Sequence, residues 1–527
     1  MNPSRGRPGS APGGRRFKSF RPDHFVPTLR GIRFERDDLK SEVQIHPFFP
    51  LRESNLATMK RALRFLVLAL CATFFCAQSR AQSSPQPKCD GATDDTSAIQ
   101  SAINAAAARH EKLQLPAGTC LTNAVAIKLP DNTVLQGAGK SITIIRRKDS
   151  VDAKTNMFTL AGKTGTVTIT DLTIDYNRSH QATGYDTIGT YATTIANFTL
   201  QRTRLINAWA LAVSFRYPPG RFLSDILIAD NDFENNGHGT DLQSDIFNGD
   251  IAVEPPVGLR ILNNHVNNTQ GSFFLSGTGG NPSGMGKIVI MGNVVTDVQG
   301  FGIALGGGGP GAAGGTDVTI RDNTFKMSIT RDNVIDVAYW SDVVIDHNYM
   351  ESGTCHASCG AIGDAPPANK ITVTNNTIIA SPAAATNNCI ALGGSEEVIT
   401  GNTCSNAGGA GIVLVGDAAT PHGSLIENNV VKNCNQARQG DHAGIALYLP
   451  AGGRMSDVTI RGNHVYDDQG SGATQLTGIA IGSGVSNPRG FANITVENND
   501  VHQNHRGILN NTRGSTNVVI RQNDGAH

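Results

Sequence analysis

The chain has 527 residues, of which only 6% are aromatic and 17% charged while 59 are glycine; a long core of small and β-branched side chains stacked in repeats suits these figures better than several globules packed around large rings. Lys+Arg and Asp+Glu are equal at 44 each, which excludes a whole-chain electrostatic attraction to nucleic acid or to an anionic membrane. Any special charge must be local.

Residues 1–58 carry Arg5, Arg7, Arg15, Arg16, Lys18 and Arg21 among Gly, Pro and Ser, a pattern that predicts a disordered basic extension upstream of the true start. Over 59–81, Met59-Lys60-Arg61 is followed by an apolar run from Leu63 to Ala77, interrupted by Arg64, and by Ser79-Arg80-Ala81. That order of charged, apolar and small-residue regions predicts a secretory signal peptide. The apolar run is short of the roughly 20 residues of a span, so a secreted protein, extracellular or periplasmic, with no stable membrane insertion after cleavage is expected. Seven cysteines follow the signal: Cys89, Cys120, Cys355, Cys359, Cys389, Cys404 and Cys434. Export makes disulfides the natural use, with Cys89/Cys120, Cys355/Cys359 and Cys389/Cys404 as candidate pairs and the odd thiol a small buried hydrophobe. Cys355-x3-Cys359 has no second Cys/His pair at zinc-like spacing, so no metal site is assigned.

Residues 82–150 read as an N-terminal cap and first coil. Asp94, Asp95 and Thr96 precede Ala98, Ile99, Ala102, Ile103 and Ala106 at helical spacing, which predicts a capping helix up to Arg109. Residues 151–527 then repeat one phrase, apolar-x-apolar-x-x-Asn, ending at Asn231, Asn264, Asn293, Asn323, Asn348, Asn376, Asn402, Asn429, Asn463, Asn499 and Asn523, with successive asparagines 24 to 36 residues apart. Two weaker copies, Val167–Leu172 and Phe198–Thr203, come first. Between asparagines lies a second phrase with period-two alternation, as in Gly249-Asp-Ile-Ala-Val-Glu254 and Gly444-Ile-Ala-Leu-Tyr448. These intervals hold two or three short strands and are too short for a crossover helix. The predicted fold is therefore all-β: a single-stranded right-handed parallel β-helix of about 13 coils, with stacked asparagines as scaffold.

Cys89-Asp-Gly-Ala-Thr-Asp-Asp-Thr-Ser-Ala-Ile-Gln-Ser-Ala-Ile103, Leu115-Pro-Ala-Gly-Thr119 and Gln136-Gly-Ala-Gly139 resemble the opening of pectate-lyase-superfamily (pectin-lyase-like) and tailspike-type β-helices, a resemblance covering about residues 88–524. It implies the fold and a polysaccharide partner. It does not choose a chemistry, because such proteins include polygalacturonases, lyases, epimerases, fructotransferases and depolymerases. Gly237-His238-Gly239 matches a polygalacturonase element but comes early, Asn387-Asn388 stands where acids are wanted, and neither Arg-Ile-Lys nor Asp-Pro-His occurs.

The densest acidic cluster in the repeats is His238, Asp241, Asp245, Asp250 and Glu254. With Ile251 and Val253 inward, Asp250 and Glu254 are expected to share the outward face of one strand, at the roughly 5–9.5 Å spacing that glycoside hydrolysis requires of its acid and its base or nucleophile. These five are the catalytic candidates. Phe274 is expected to face outward as a sugar platform, and Lys326, Arg331, Asp336 and Tyr339, within one repeat, are candidate substrate-binding groups that a lyase would use as base and neutraliser. No cofactor is expected; calcium enters only under the lyase reading, with Asp241, Asp245 and Asp250 as oxygen donors, and no EF-hand or nonapeptide spacing accompanies them. The expected activity is cleavage of a polysaccharide in a lateral groove, with hydrolysis ahead of β-elimination and a non-catalytic glycan-binding or structural β-helix as the alternative. The expected assembly is a monomer or an axial homotrimer.

Overall fold

The computed structural model describes residues 86–526, less 163–165, 191–193, 217–222, 239–247, 255, 278–283, 307–313, 328, 331–332, 356–359, 366–367, 384–386, 417–422, 438–442, 451 and 484–488. The basic extension, the signal segment and the Cys355/Cys359 pairing therefore lie outside the described residues.

Every named strand pair is parallel, and the strands form three long sheets of 14, 14 and 16 strands. Sheet A begins with Asp90–Asp94, sheet B with Lys112–Gln114 and sheet C with Ile127–Leu129, so all three start before residue 150. The chain visits them in the order B, A, C and returns one coil higher, as in Leu223–Ala229, Asp232–Glu234 and Gly249–Val253. This is the predicted parallel β-helix. Alternate side chains fill one continuous core: Ile226, Ile228, Phe233, Ile251 and Val253 are fully buried in a single coil. Losing a buried Ile or Leu side chain there would cost about 2–5 kcal/mol.

The predicted helix, α1 (Thr96–Ala108), closes the N-terminal end, with Ile99, Ala102, Ile103 and Ala106 buried against the first coil. Its capping differs from expectation. Asp95 holds the N-cap position without a side-chain cap bond; its carboxylate instead accepts the N–H groups of Lys88 and Cys89, at 2.8 and 3.0 Å. The cap bond comes from Asp94, whose Oδ1 accepts the Thr96 N–H at 3.0 Å. Disulfides join Cys89 to Cys120 and Cys389 to Cys404, and Cys434 is a buried free thiol. Among the described residues no helix follows the last strand, and Ile508, Val518 and Ile520 remain partly exposed there.

The asparagines stack at the corner between sheets B and A. Asn264 is typical: its Oδ1 accepts both the backbone N–H and the Nδ2 of Asn231 at 3.0 Å, and its own Nδ2 donates to the Ile228 carbonyl at 3.0 Å and to Asn293 at 2.9 Å. Thr203 begins the column by donating from both N and Oγ1 to Asn231. The residue before each rung turns the corner with positive φ, for example Asp230 (57°), Asn263 (52°) and Gly292 (68°). That conformation favours Asp, Asn or Gly, which hold the position at every rung except those preceded by His347 and Gln522.

Candidate functional site

Sheet C carries the Ile-Ala-Leu phrases, and its register decides which residues look out. Val213, Ile251, Phe274, Ile303 and Ile335 form one inward column. One residue on, Ser214, Ala252, Leu275, Ala304 and Asp336 form the outward column. Phe274 is thus a core residue with no exposure, and the expectation of an outward ring is overturned by a one-residue difference in register; Leu275 takes the outward place. Ala252, Leu275 and Ala304 join Leu211 and Phe301 in a small apolar cluster outside the main core, none more than 8% exposed.

Asp250 also departs from expectation. It lies on the rung between Gly249–Ser272 and Ile251–Phe274, beside the fully buried Phe273. It has no exposure at all, and it accepts 2.8 Å hydrogen bonds from Asn236 Nδ2 and Thr269 Oγ1. Burial outweighs these two bonds and pushes its carboxyl up to about 7. All five residues of Gly249–Val253 are buried, so exposure does not alternate along this strand and an outward Asp250 does not follow from its spacing.

Glu254 directly follows the end of the same strand, half-buried. The four residues from Asp250 span roughly 13 Å of extended chain, so the expected close carboxylate pair does not form. Burial raises the Glu254 carboxyl and the Arg216 charge opposes the rise. Arg216 follows Phe215, which is level with Val253, so the two residues are stacked neighbours on consecutive coils. On the next coil Gly277 leaves room for the carboxyl: a Cβ there would stand 3.2 Å from Glu254 Oε1.

His238 occupies the opposite rim, where Asn248 Nδ2 donates to its carbonyl at 3.1 Å. Its ring lies 4.4 Å from that of Trp209 on the coil before. Trp209 in turn fits over Gly184, where a Cβ would fall 2.5 Å from its ring, next to Tyr185, which is 41% exposed. Three rings on consecutive coils therefore edge sheet C on this side. The sequence reading singled out His238 but passed over Trp209, Tyr185 and Arg216, because nothing in their local spacing links residues one coil apart.

The other candidates do not share one surface. Lys326 is exposed on sheet A, 3.7 Å from Glu351 and with its ammonium 5.7 Å from the Tyr349 ring centroid. Asp336 is on sheet C and accepts a 2.8 Å bond from Asn333 Nδ2. Tyr339 turns the corner between sheets C and B with φ of 71°. One repeat thus scatters these three residues around the solenoid. Asp241, Asp245 and Arg331 lie outside the described residues. As for metals, the one group of candidate ligand atoms found among the described residues is Cys89, Asp95 and Cys120, and its two sulfurs are already joined as a disulfide.

Among solved structures the chain is similar to the A-module of a mannuronan C-5 epimerase of Azotobacter vinelandii, at 16% identity and a TM-score of 0.44, with 82% of this chain and 96% of that one covered. It is also similar to gene product 12 of bacteriophage phi29, at 14% identity and a TM-score of 0.48 over 86% of this chain and 59% of that one. A third likeness is to PfbA, a surface adhesin of Streptococcus pneumoniae, at 16% identity and a TM-score of 0.42 over 73% and 91%. At such identities these likenesses concern the fold alone. No curated protein matches the chain. Residues 312–478 and 369–524 match the right-handed β-helix region family. Residues 87–363, more than half of the chain, match a second and more specific family. With the solenoid, its asparagine ladder and its capping helix on the same residues, the chain belongs to the rhamnogalacturonase A/epimerase, pectate lyase-like family.

Proposed function

We propose that this is an exported carbohydrate-active protein that takes a polysaccharide across the outer side of sheet C, between the ring row of Tyr185, Trp209 and His238 and the rim that carries Arg216 and Glu254, and cleaves it by hydrolysis. The observation that carries the reading is Glu254: a half-buried carboxyl whose affinity for a proton burial raises, against the opposing charge of Arg216, is suited to deliver that proton to a leaving oxygen. Rings at a groove edge suit the apolar faces of sugars, and the two disulfides suit export. The second carboxyl of such a mechanism is assigned to Asp241 or Asp245, which precede the Glu254 strand in the chain.

The test is incubation of the protein with neutral and uronic polysaccharides, with and without calcium, following new reducing ends and the ultraviolet absorbance of an unsaturated product. Reducing ends without absorbance, abolished by Glu254→Gln, are expected. Absorbance instead would move the reaction to β-elimination; Lys326 is poorly sited for that role, being on a different sheet from Glu254. A non-catalytic glycan-binding module is the second reading. It is favoured by the outward column of sheet C, where Asp336 is the one carboxylate among the five residues from Ser214 to Asp336 that are level with one another. Binding without products across the panel would select it.

A further inference from the structure

Glu397 occupies a place that the neighbouring coils give to aliphatic side chains. It is level with Ile371, which continues the inward column of Val318 and Val343, and after an intervening Ser424 the column resumes with Val458. Glu397 is completely buried. Its Oε2 accepts the Ile371 N–H at 3.1 Å, whereas Oε1 is sealed from solvent without a hydrogen-bond partner. Oε1 and the Ala368 carbonyl oxygen converge on one point, each 2.2 Å from where a Cβ on Gly394 would stand. Only a glycine lets the corner close over them. Asp364, from the strand Ile362–Ala365, adds a further carboxylate, whose Oδ1 accepts the Gly393 N–H at 2.7 Å. Of the other charged groups on the flanking segments, Lys370 and Glu396 are exposed.

Acceptor oxygens gathered in a dry corner repel one another unless one of them becomes a donor. We propose that Glu397 is held as an un-ionised carboxylic acid whose Oε1–H donates within the sheet C to sheet B corner, so that this corner is a proton-dependent lock on the solenoid. Burial first, and the neighbouring Asp364 charge second, raise its carboxyl from 4.5 to about 10. The sign follows: the folded form prefers the proton, so the contribution to stability is complete below about pH 4.5, declines as pH rises above that value and is lost through about pH 10.

The experiment is thermal unfolding of the full chain from about pH 5 to about pH 9 for wild type, Glu397→Gln and Asp364→Asn, with infrared spectra of each. Gln copies the neutral acid, having one acceptor and one donor. Glu397→Gln is expected to unfold at a temperature no lower than wild type at the acidic end and several degrees higher at the alkaline end, and Asp364→Asn to shrink the wild-type slope. The carbonyl stretch of an un-ionised carboxylic acid, present in wild type at neutral pH, is expected to weaken in Glu397→Gln. An unchanged infrared band and an unchanged pH slope in Glu397→Gln would overturn the proposal. So would a wild-type unfolding temperature that a chelator lowers and calcium restores, which would assign the oxygens to a cation.

Discussion

Asn236 Nδ2 donates to Asp250 Oδ1 at 2.8 Å, and Asn236 also receives the Ala208 N–H on its Oδ1 at 2.9 Å and donates to the Leu205 carbonyl at 3.1 Å. One amide thus ties an interior carboxyl to the corner of the coil below. That relationship turns Asp250 from a catalytic candidate into a structural acid.

Replacing Asp250 with Ala strands the amide and the Thr269 hydroxyl and is expected to cost about 2–4 kcal/mol in denaturant unfolding, with turnover per folded molecule unchanged. Because burial raises Asp250 to about 7, its favourable contribution is greatest at acid pH and is lost as pH rises through about 7. Asp250→Asn, which retains one acceptor and gains a donor, is expected to remove that part of the slope; comparing unfolding at about pH 5 and about pH 8 checks it.

Glu254→Gln should lower turnover on a cleavable polysaccharide about 100-fold or more with little change in KM, since it removes a proton donor and leaves the shape of the rim. Arg216→Met removes the charge that restrains Glu254. The expected result is a pH–rate profile whose alkaline limb moves upward, read from reducing ends at a series of pH values. An unmoved limb would count against Glu254 as the acid.

Trp209→Ala should weaken binding by about 1–2 kcal/mol, read as a rise in KM or in Kd by calorimetry, because a ring face offers a sugar both apolar area and geometry. Its neighbour His238 rests on that ring, so the double variant is expected to add little to the loss from Trp209→Ala alone.

The ladder is uneven in a measurable way. Asn348 is buried and links Asn323 to Asn376, while Asn523 ends the column and is partly exposed. Asn348→Ala is expected to cost about 2–4 kcal/mol and Asn523→Ala under about 1 kcal/mol, measured by urea unfolding.

Cys434 lies 4.0 Å from Cys404 Sγ, beside the Cys389–Cys404 disulfide, and burial pushes its thiol up to about 12. Such a thiol is inert. Thiol reagents should leave Cys434 unlabelled in the folded protein and label it on unfolding, with the site mapped by mass spectrometry.

Much of this molecule is determined one repeat at a time. Period-two alternation, a turn residue able to adopt positive φ and an Asn that can bond to its own copy one coil away are local or periodic features, so the solenoid, its ladder, α1 and the Cys89–Cys120 and Cys389–Cys404 bridges were legible in the sequence. The site was less so. Phe274 is the central residue of its strand and points inward by the register it shares with Ile251 and Ile303, and Asp250 lies on a strand buried along its whole length; in both cases the neighbouring coils, which no local spacing shows, set the outcome. Tyr185, Trp209 and His238, like Arg216 and Glu254, are about 24 to 38 residues apart in the chain and become neighbours through the roughly 5 Å rise between stacked strands. Glu397 has no local signature at all, since its burial comes from Gly394 and from the coils on either side. Local spacing determined the strands; only the stacking of one coil on the next decided which polar groups meet and which are shut away from water.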